Sequence, residues 1–349
     1  MSFPYEWALK DGYPGKGIES HNCKVFGTFI CGGGSTMGYK LAGYDHIGGV
    51  EIDPQVAGIY KVNHKPKHLY LEDIRKFNDR TDLPAELYDL DLLDGSPPCS
   101  SFSMAGSRDK DWGKEKKFRE GQASQRLDDL VYVYIETIKK LMPKVAVLEN
   151  VKGLIQGNAK SYAKKMQKQF EAAGYRVQVF LLNAASMGVP QKRERVFFVG
   201  VRDDLDVPEL KLNFNERAHA FGEIRSKLGD QSKKTERQAA ILKMFKEGDK
   251  SISCVNARIG KPNNGFNAEI VYDTNVVGTI DSKGEKYRAF DRIHFSVMDF
   301  ILSGTYPTDY NFRGIRPQYL IGMSVPPVMT AQLSSQIYKQ WLKPIKEAA

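Results

Sequence analysis

Cys99 is the residue of this 349-residue chain that is best placed to do chemistry. It closes the tetrapeptide Ser-Pro-Pro-Cys at residues 96–99, which follows the largely apolar run at residues 90–94. Because each proline fixes its own φ angle and restricts the residue before it, the turn sets the direction of the thiol. A cysteine held in this way at the end of a buried strand is typical of an aimed nucleophile rather than of a packing residue.

A carboxylate stands in a comparable place farther along the chain. Residues 145–148 (Val-Ala-Val-Leu) form a second apolar run, and Glu149 and Asn150 follow it directly. An α/β sheet collects its functional groups at the carboxyl ends of its strands. We therefore expect Glu149 to belong to the same site as Cys99.

A glycine-rich turn at residues 29–38 (Phe-Ile-Cys-Gly-Gly-Gly-Ser-Thr-Met-Gly) follows the first predicted strand and opens a helix. Glycine permits positive φ angles and lets the backbone approach a ligand closely. About twenty residues on, the second predicted strand ends at Glu51 and Asp53, where an acid can accept hydrogen bonds from ribose hydroxyls. The combination predicts an adenosine-type cofactor, and at this point nicotinamide and S-adenosylmethionine both remain open.

The thiol distinguishes these two cofactors. Hydride transfer to or from nicotinamide rarely needs a cysteine on this strand, whereas methyl transfer to C5 of cytosine does, because C5 is a poor nucleophile. A thiolate that adds to C6 makes an enamine whose C5 can attack a methyl donor. An acid near N3, a role open to Glu149, would promote the addition, and a base that the sequence does not name must then remove the C5 proton.

Alternating strand-like and helix-like patterns in the first half of the chain predict the elements that position these residues. They are typical of an α/β fold with a mostly parallel, doubly wound sheet. The predicted strands cover residues 25–30, 47–52, 91–94, 145–149, 176–182 and 195–201, and short β-like pieces cover 269–272 and 275–279. The predicted helices cover residues 38–42, 54–62, 127–141, 159–173 and 328–339.

Composition limits the class of protein. Hydrophobic residues make up 41% of the chain and charged residues 27%, as in ordinary globular proteins, and no run approaches the roughly 20 apolar residues of a membrane span. The amino-terminal residues do not resemble a secretory signal. The four cysteines form no CxxC pair, which disfavours disulfides and zinc. Pro66 separates His64 from His68, which disfavours a helical metal site and favours exposure of both rings. We therefore expect a cytoplasmic protein with no metal.

The net charge of +9 is by itself a weak indication of a polyanionic partner. Basic residues cluster at 108–119, just after the cysteine, and at 192–195. Such clusters are typical of solvated surfaces, and near an active site they are also typical of phosphate contacts.

Six motifs in a fixed order resemble those of the bacterial and phage DNA (cytosine-5)-methyltransferases, and they extend from about residue 25 to 337. They are Phe29 with Gly33 and Gly34, Glu51, residues 94–99 (Asp-Gly-Ser-Pro-Pro-Cys), residues 149–151 (Glu-Asn-Val), residues 191–195 (Gln-Lys-Arg-Glu-Arg) and residues 322–327 (Gly-Met-Ser-Val-Pro-Pro). Cys31, Ser100 and Met323 depart from the usual residues at their positions, where glycine, glutamine and asparagine are common.

The resemblance implies a Rossmann-like S-adenosylmethionine-dependent methyltransferase fold and a role for each matching residue. Cys99 corresponds to the nucleophile that bonds to C6, Glu149 to the carboxylate at the N3 edge, and Arg193 and Arg195 to the paired arginines that hold the base. The implied S-adenosylmethionine site is formed by Phe29, Gly33, Gly34, Glu51, Asp73, Ile74, Asp94, Ser324 and Val325. The stretch after Cys99 resembles a loop that closes over flipped-out DNA, with contacts expected from Ser103, Arg108, Lys114, Lys116, Lys117 and Arg119.

The resemblance also implies the domain organisation and the partners. We expect an amino-terminal extension at 1–24, a catalytic and cofactor-binding domain at 25–201, a target-recognition domain at 202–291, and a segment at 292–349 that returns to the catalytic domain. The expected substrate is double-stranded DNA, and the gene belongs to a prokaryote or a phage. A restriction–modification role, with a cognate endonuclease, and an unpaired regulatory role both fit. The alternatives are a tRNA cytosine-5 methyltransferase, a catalytically silent DNA-binding relative and a nicotinamide oxidoreductase.

Overall fold

The chain folds into two compact units in a computed structural model that describes residues 3–13, 20–98, 129–156, 159–226, 269–271, 273–283, 287–289 and 295–348. The first, called here the sheet unit, comprises Gly15–Asn183, Glu194–Asn213 and Thr330–Ala349. The second unit comprises Met1–Pro14, Ala184–Arg193 and Phe214–Met329. The functions assigned above to four consecutive segments remain predictions.

Seven strands build the sheet unit, in the order β3-β2-β1-β4-β5-β7-β6. Their bounds are Lys24–Thr28 (β1), Asp45–Glu51 (β2), His68–Leu71 (β3), Leu92–Gly95 (β4), Val145–Val151 (β5), Tyr175–Asn183 (β6) and Glu194–Arg202 (β7). Strands β1 to β5 pair in parallel, and β7 runs antiparallel to both β5 and β6. The mostly parallel sheet and all six predicted strands are confirmed to within two residues. The sequence analysis missed β3, an edge strand with no fully buried residue, whereas the equally short β4 is buried throughout and was predicted.

The central strands are buried on both faces, which explains why they read as continuous apolar runs. Phe26 of β1, Leu93 of β4 and Ala146 of β5 are fully buried in one core cluster. Tyr134 and Phe170, from two helices that pack on the sheet, belong to the same cluster. The carboxyl ends of β1, β4 and β5 are therefore held rigidly by their neighbours.

Five helices belong to the first half of the sheet unit. They are Gly34–Leu41 (α1), Pro54–His64 (α2), Ile74–Asp79 (α3), Leu130–Leu141 (α4) and Ala159–Ala172 (α5). The four predicted helices of this region are confirmed, although α1 begins four residues earlier than predicted because Gly33 caps it in a left-handed conformation. Asp53 caps α2 by accepting hydrogen bonds from the backbone N–H groups of Gln55 and Val56.

The second unit has little regular structure in its described residues. Its strands Glu269–Val271 (β8) and Tyr287–Ala289 (β9) pair in parallel, and its helices are Phe221–Ile224 (α6), Val297–Ser303 (α7) and Pro317–Met323 (α8). The β-like piece at 269–272 is confirmed as β8, but the strand expected at 275–279 is wrong. That segment instead bonds to Lys192, whose N–H donates to the Val277 carbonyl at 2.8 Å and whose carbonyl accepts from the Thr279 hydroxyl at 2.6 Å.

The two ends of the chain are well anchored. Near the amino terminus, the indole N–H of buried Trp7 donates to the Thr305 carbonyl at 3.0 Å, and the Asp309 carboxylate accepts from the backbone N–H groups of Leu9 and Lys10. At the other end, the predicted terminal helix is confirmed as Pro327–Ile337 (α9). It continues through a π-helical turn into Lys343–Ala348 (α10). Among the helices of the described residues, none is both long and apolar enough to cross a membrane.

Candidate active site

Glu149 and Arg195 form an ion pair at the end of the sheet. Glu149 lies near the carboxyl end of β5, and Arg195 is the second residue of β7. Because β7 is antiparallel to β5, the start of one strand meets the end of the other, and Arg195 pairs in register with Val151. The Arg195 Nε atom lies 3.0 Å from Glu149 Oε1, and the two side chains are only 13% and 12% exposed. Burial lowers the pKa of Arg195, and the charge of Glu149 opposes that shift.

Asn150 joins this pair to the turn that precedes Cys99. The Asn150 side chain is buried, and its Nδ2 donates to the Pro97 carbonyl at 3.3 Å. Its Oδ1 accepts from the backbone N–H of Val151 at 2.8 Å, which fixes the orientation of the amide. The sequence analysis quoted Asn150 as part of a motif and gave it no role. The structure makes it the tether between the end of β5 and the Pro-Pro turn.

Three left-handed residues shape the glycine-rich turn. Phe29, Cys31 and Gly33 have φ angles of 55°, 48° and 87°. Positive φ at two residues that carry a Cβ is uncommon, so other contacts must hold the turn. His64, which was expected to be exposed, is instead buried behind the turn and forms a hydrogen bond with the Gly32 backbone. Gly34 follows as the first residue of α1.

Glu51 also bonds to the backbone of this turn. Its Oε2 accepts from the Cys31 N–H at 2.9 Å, and its Oε1 accepts from the N–H groups of Ile52 and Asp53, both at 2.9 Å. Burial raises the pKa of Glu51, and the hydrogen bonds from the backbone oppose that shift. Since a carboxylate offers about four lone-pair sites, Glu51 retains acceptor capacity for a ligand hydroxyl.

Asp73 and Ile74 start the next helix, α3. The Asp73 carboxylate caps the helix by accepting from the Arg75 N–H at 2.8 Å, and it also pairs with the Arg75 guanidinium at 3.1 Å. Ile74 is buried and packs with Leu130 and Phe29. Phe29 and Ile74, which the sequence analysis assigned to one site, are therefore brought together.

Asp94 occupies the centre of the sheet. It lies in β4 between β1 and β5, and only 6% of it is exposed. The Tyr39 hydroxyl, from α1, donates to Asp94 Oδ1 at 3.0 Å. Burial raises the pKa of Asp94 to about 7. A buried acid in this position needs an explanation beyond packing, since acidic side chains are seldom fully buried.

Arg193 and the late motif are parts of the second unit. Arg193 is fully buried, and its guanidinium donates to the carbonyls of Ile280 and Gly322 at 2.9 and 2.8 Å. Ser324 accepts from the Tyr306 hydroxyl at 2.7 Å, and the neighbouring Val325 is buried. Arg193 thus braces the segment that leads to Ser324 and Val325. Arg193 and Arg195, which the sequence treats as one pair, have different contacts.

The sheet unit holds most of the predicted site residues that the structure describes. They are Phe29, Gly33, Gly34, Glu51, Asp73, Ile74, Asp94, Glu149 and Arg195, whereas Arg193, Ser324 and Val325 belong to the second unit. Cys99 and the expected DNA contacts lie outside the described residues. These contacts are Ser103, Arg108, Lys114, Lys116, Lys117 and Arg119. The roles of all these residues remain predictions.

The residues around the glycine-rich turn suit an adenosine-type cofactor. A carboxylate with spare acceptor capacity, Glu51, borders a turn of left-handed residues, and Ile74 and Phe29 supply adjoining apolar surface. Among the described residues, no group of three or more His, Cys, Asp or Glu side chains is arranged to hold a metal ion.

The fold is the Rossmann-like fold of the S-adenosylmethionine-dependent methyltransferases, with a seven-stranded sheet that contains one reversed strand. The family can be stated more narrowly. The model of the C-5 cytosine-specific DNA methylases matches residues 24–339, and the chain belongs to this family.

Several relatives come from bacteria and phages. The type II methyltransferase M.FnuDI of Fusobacterium nucleatum is 37% identical over 191 residues, which cover 55% of this chain and 50% of that protein. The type II methyltransferase M1.HphI of Haemophilus parahaemolyticus is 24% identical over 333 residues, or 89% of this chain and 85% of that one. The orphan methyltransferase M.SPRI of Bacillus phage SPR is 37% identical over 164 residues, or 47% and 34%. The chain thus spans about half the length, or less, of several relatives that it matches.

Solved structures share the fold at low identity. A putative DNA modification methyltransferase encoded within an Escherichia coli prophage superposes with a TM-score of 0.61 at 18% identity, covering 91% of this chain and 99% of that chain. The DNMT2 structure of Spodoptera frugiperda superposes with a TM-score of 0.62 at 16% identity, covering 91% and 100%. At this level of identity the likeness establishes the fold.

Proposed function

We propose that the protein is a DNA (cytosine-5-)-methyltransferase that moves the methyl group of S-adenosylmethionine to C5 of a cytosine within a specific DNA sequence. The observation that carries the proposal is the buried ion pair of Glu149 with Arg195, tied through Asn150 to the turn before Cys99. We interpret Glu149 as the acid, Arg195 as the cation that orients it, and residues 96–98 as the turn that leads to the proposed nucleophile. Family membership supports the same reaction.

The proposed reaction starts with the Cys99 thiolate. Its sulfur bonds to C6 of the cytosine while N3 takes a proton from Glu149, so the electron pair of the C5–C6 double bond becomes available at C5. C5 then attacks the methyl carbon of S-adenosylmethionine, and the electrons of the broken S–CH3 bond remain on the sulfur of S-adenosylhomocysteine. A base removes the C5 proton, N3 returns its proton to Glu149, the C5–C6 double bond forms again, and the thiolate leaves.

The other residues orient these groups. Arg195 fixes the Glu149 carboxyl through its Nε and offers further N–H donors for the target base, and Asn150 limits the movement of the turn. Glu51 would accept hydrogen bonds from the ribose hydroxyls of S-adenosylmethionine, and Phe29 and Ile74 would cover its adenine. Gly33 and Gly34 would let the protein backbone approach the cofactor. Ser324 and Val325 stay predicted cofactor residues on the resemblance of their motif alone, and Arg193 would hold their segment in place within the second unit.

The substrate in this proposal is double-stranded DNA. The reacting carbon is stacked inside the duplex, so the base must be extruded at a cost of a few kcal/mol. We assign the closing of the site to the stretch after Cys99, where lysines and arginines would contact phosphates. We assign recognition of the DNA target sequence to residues within 202–291. Relatives carry both type II and orphan names. The proposal therefore includes both a role beside a cognate endonuclease and a solitary role. The reaction would take place in the cytoplasm of a bacterium or of a phage-infected cell, where the DNA lies.

A single experiment tests the proposal. Purified protein is incubated with methyl-labelled S-adenosylmethionine and unmethylated genomic DNA, beside total tRNA and beside the Cys99→Ser variant, and 5-methylcytosine is then mapped at base resolution. We expect label in DNA at one recurring sequence and none with Cys99→Ser. Label in tRNA alone would show that the substrate is RNA. Cofactor binding without any methyl transfer would indicate a catalytically silent DNA-binding relative.

A further inference from the structure

Asp94 lies between the glycine-rich turn and Glu149. Its strand, β4, pairs in parallel with β1 and with β5, so that Asp94 is opposite Gly27 on one side and Val147 on the other. The glycine-rich turn begins directly after β1, and Glu149 stands two residues beyond Val147 on β5. Ser35, in the first turn of α1, hydrogen-bonds to the Asp94 carboxyl. The cofactor side and the target-base side of the proposed site therefore meet at Asp94.

The Asp94 carboxyl is buried and has hydrogen-bond donors but no cation beside it. Its Oδ1 accepts from the Tyr39 hydroxyl of α1 at 3.0 Å. The other ionisable side chains that interact with it are the Tyr134 phenol of α4 and the Glu149 carboxylate of β5. Of the Lys, Arg and His side chains that the structure describes, none pairs with Asp94. A positive charge on a ligand would therefore find an uncompensated acid here.

We propose that Asp94 recognises the positive charge of the methyl donor and so distinguishes S-adenosylmethionine from its product S-adenosylhomocysteine, whose sulfur is neutral. The inference rests on the proposed function, because it takes S-adenosylmethionine as the cofactor and the glycine-rich turn as part of its site. It goes beyond that function by giving one residue the task of favouring fresh cofactor over spent product.

The proposed reaction requires a positive sulfur in this part of the site. The methyl group passes from that sulfur to a carbon within reach of Cys99 and Glu149, so the sulfur must lie between the glycine-rich turn and that carbon. Asp94 occupies the same interval in the sheet. Inside a protein, a carboxylate stabilises a nearby positive charge without touching it. Because Arg195 already neutralises Glu149, Asp94 is the acid that can do so.

The proton of Asp94 makes this recognition reversible. Burial raises the pKa of Asp94 to about 7, the hydrogen bond from Tyr39 opposes that shift, and the charge of Glu149 adds to it. In the free protein the carboxyl is therefore mostly neutral below pH 7 and mostly charged above it. Since a nearby positive charge favours the charged carboxylate, binding of S-adenosylmethionine should release a proton from Asp94. Binding of S-adenosylhomocysteine should release none from this residue.

Isothermal titration calorimetry counts this proton. S-adenosylmethionine and S-adenosylhomocysteine are titrated separately into the protein in phosphate and in imidazole buffers. The heats of ionisation of these buffers differ, so the difference in binding heat gives the number of protons exchanged. If S-adenosylmethionine binds the charged form of Asp94 about tenfold more tightly than the neutral form, about half a proton is released at pH 6.5 and almost none at pH 8.5.

Asp94→Asn is the reference for this count. Its side chain keeps an oxygen that can accept from Tyr39 but has no proton to release in this pH range. Because the amino group of the cofactor can also exchange a proton, the deciding quantity is the proton count of the wild type minus that of Asp94→Asn. We expect this difference to be about half a proton with S-adenosylmethionine at pH 6.5 and close to zero with S-adenosylhomocysteine.

The same preference predicts a change in relative affinity with pH. The measured quantity is the Kd of S-adenosylhomocysteine divided by the Kd of S-adenosylmethionine. We expect this ratio in the wild type to exceed that in Asp94→Asn by about twofold at pH 6 and by about tenfold at pH 8. The reason is that the carboxyl of the free wild type is mostly neutral at pH 6 and mostly charged at pH 8.

Two further variants serve as matched controls. Tyr39→Phe removes a hydrogen bond that favours the charged carboxylate, so the pH range of proton release should move upward while the proton is still released. Asp91→Asn is the same substitution at another buried acid, which lies just before β4 and has Lys144 at 2.8 Å. Because Asp91 is at the opposite end of the strand from the site, this variant should keep the wild-type proton count.

The outcomes separate the inference from the function on which it rests. Equal proton counts in the wild type and Asp94→Asn, with equal affinity ratios at pH 8, would overturn the inference. Release of the expected proton without methyl transfer to cytosine C5 would overturn the proposed function alone, and failure to bind either compound would overturn both. Should Asp94→Asn not fold, Tyr39→Phe decides, since an unchanged pH range of proton release would show that the proton does not come from Asp94.

Discussion

His64 fills the space in which any side chain at Gly33 would have to lie. A Cβ atom built on Gly33 falls 2.2 Å from Nε2 of His64, far inside van der Waals contact. The φ angle of Gly33 is also 87°, a value that residues with a Cβ rarely adopt. The last residue of α2 therefore supports the glycine-rich turn from behind, and it does so only because position 33 carries no side chain.

Gly33→Ala should destabilise the protein and weaken binding of S-adenosylmethionine. The substitution adds both the strain of a left-handed residue, about 1 kcal/mol, and a clash with His64. Gly174→Ala is the matched control, because Gly174 has nearly the same φ of 86° but no atom within 4 Å of its would-be Cβ. Thermal unfolding and calorimetric titration of the cofactor measure the two effects. Equal losses in both variants would mean that the contact with His64 does not matter.

The buried state of His64 should make the protein sensitive to acid. Burial lowers the pKa of His64 to about 3, with a further contribution from the charge of Lys40, whereas the ring in an unfolded chain has its ordinary pKa of 6.5. The stabilising contribution is therefore complete above pH 6.5 and is lost as the pH falls from 6.5 towards 3. Between pH 7 and pH 5, this one group should cost about 2 kcal/mol of unfolding free energy.

His64→Gln tests this linkage. The variant should be less stable at pH 7, because the packing behind the turn is altered, but its unfolding free energy should fall less steeply between pH 7 and 5 than that of the wild type. Urea unfolding at several pH values gives both quantities. Parallel curves for the two proteins would show that His64 is not the source of the acid sensitivity.

Substitutions in the Glu149–Arg195 pair should affect both catalysis and stability. Glu149→Gln keeps the shape but removes the acid, so we expect the rate of methyl transfer to fall by about 10²- to 10⁴-fold. It also leaves the buried Arg195 guanidinium without its anion, which should cost about 3 kcal/mol. Arg195→Met leaves a buried carboxylate without its cation and should cost about 3 kcal/mol. Lys152→Met is the control, because the Lys152–Glu194 pair is half-exposed and should contribute less than about 1 kcal/mol. Comparable losses for both pairs would contradict the special role of the buried one.

Asn150→Ala should slow the reaction of Cys99 by releasing the turn before it. The loss of a buried hydrogen bond to the Pro97 carbonyl should cost about 1 kcal/mol in stability. The specific consequence is a wider range of thiol positions, which should lower the rate of covalent addition to DNA that contains 5-fluorocytosine more than it lowers DNA affinity. An unchanged rate of trapping would mean that the tether does not aim the thiol.

The amino-terminal residues should be required for the stability of the second unit. Trp7 is buried and donates to the Thr305 carbonyl, so Trp7→Ala should cost about 3 to 5 kcal/mol. Asp309→Ala should cost less, since it removes only the acceptor of the Leu9 and Lys10 N–H groups at an exposed position. Differential scanning calorimetry measures both losses. A wild-type transition in Trp7→Ala would show that the segment is dispensable.

The strands and the helices that follow them could be predicted because both kinds of element carry strong local patterns. The apolar run of β5 and the apolar stripe of α4 each predict one type of structure with no need of tertiary information. The direction of β7 could not be predicted, because pairing direction depends on the path of the chain between strands. The edge strand β3 was missed because none of its residues is fully buried, so it lacks the apolar pattern of the central strands.

The sequence names the candidate site residues but does not predict their contacts. A motif that contains Arg193 and Arg195 implies a single pair, yet one guanidinium braces two backbone carbonyls and the other holds Glu149. His64 was expected to be exposed because Pro66 disfavours a helical metal site formed with His68. Its burial depends on the missing side chain of Gly33, thirty-one positions earlier, which no local pattern reports.

The reversal of β7 has a consequence for how the site could have arisen. If β7 ran in the same direction as β5, Arg195 would move to the opposite end of the strands, with its Cα atom roughly 14 Å from that of Glu149. Six strands that run in one direction all place their carboxyl ends on the same side of the sheet. The seventh strand, β7, places its amino-terminal end there instead. Arg195 near the start of β7 therefore lies beside Glu149 near the end of β5. The direction of this single strand thus decides whether Arg195 and Glu149 can form an ion pair.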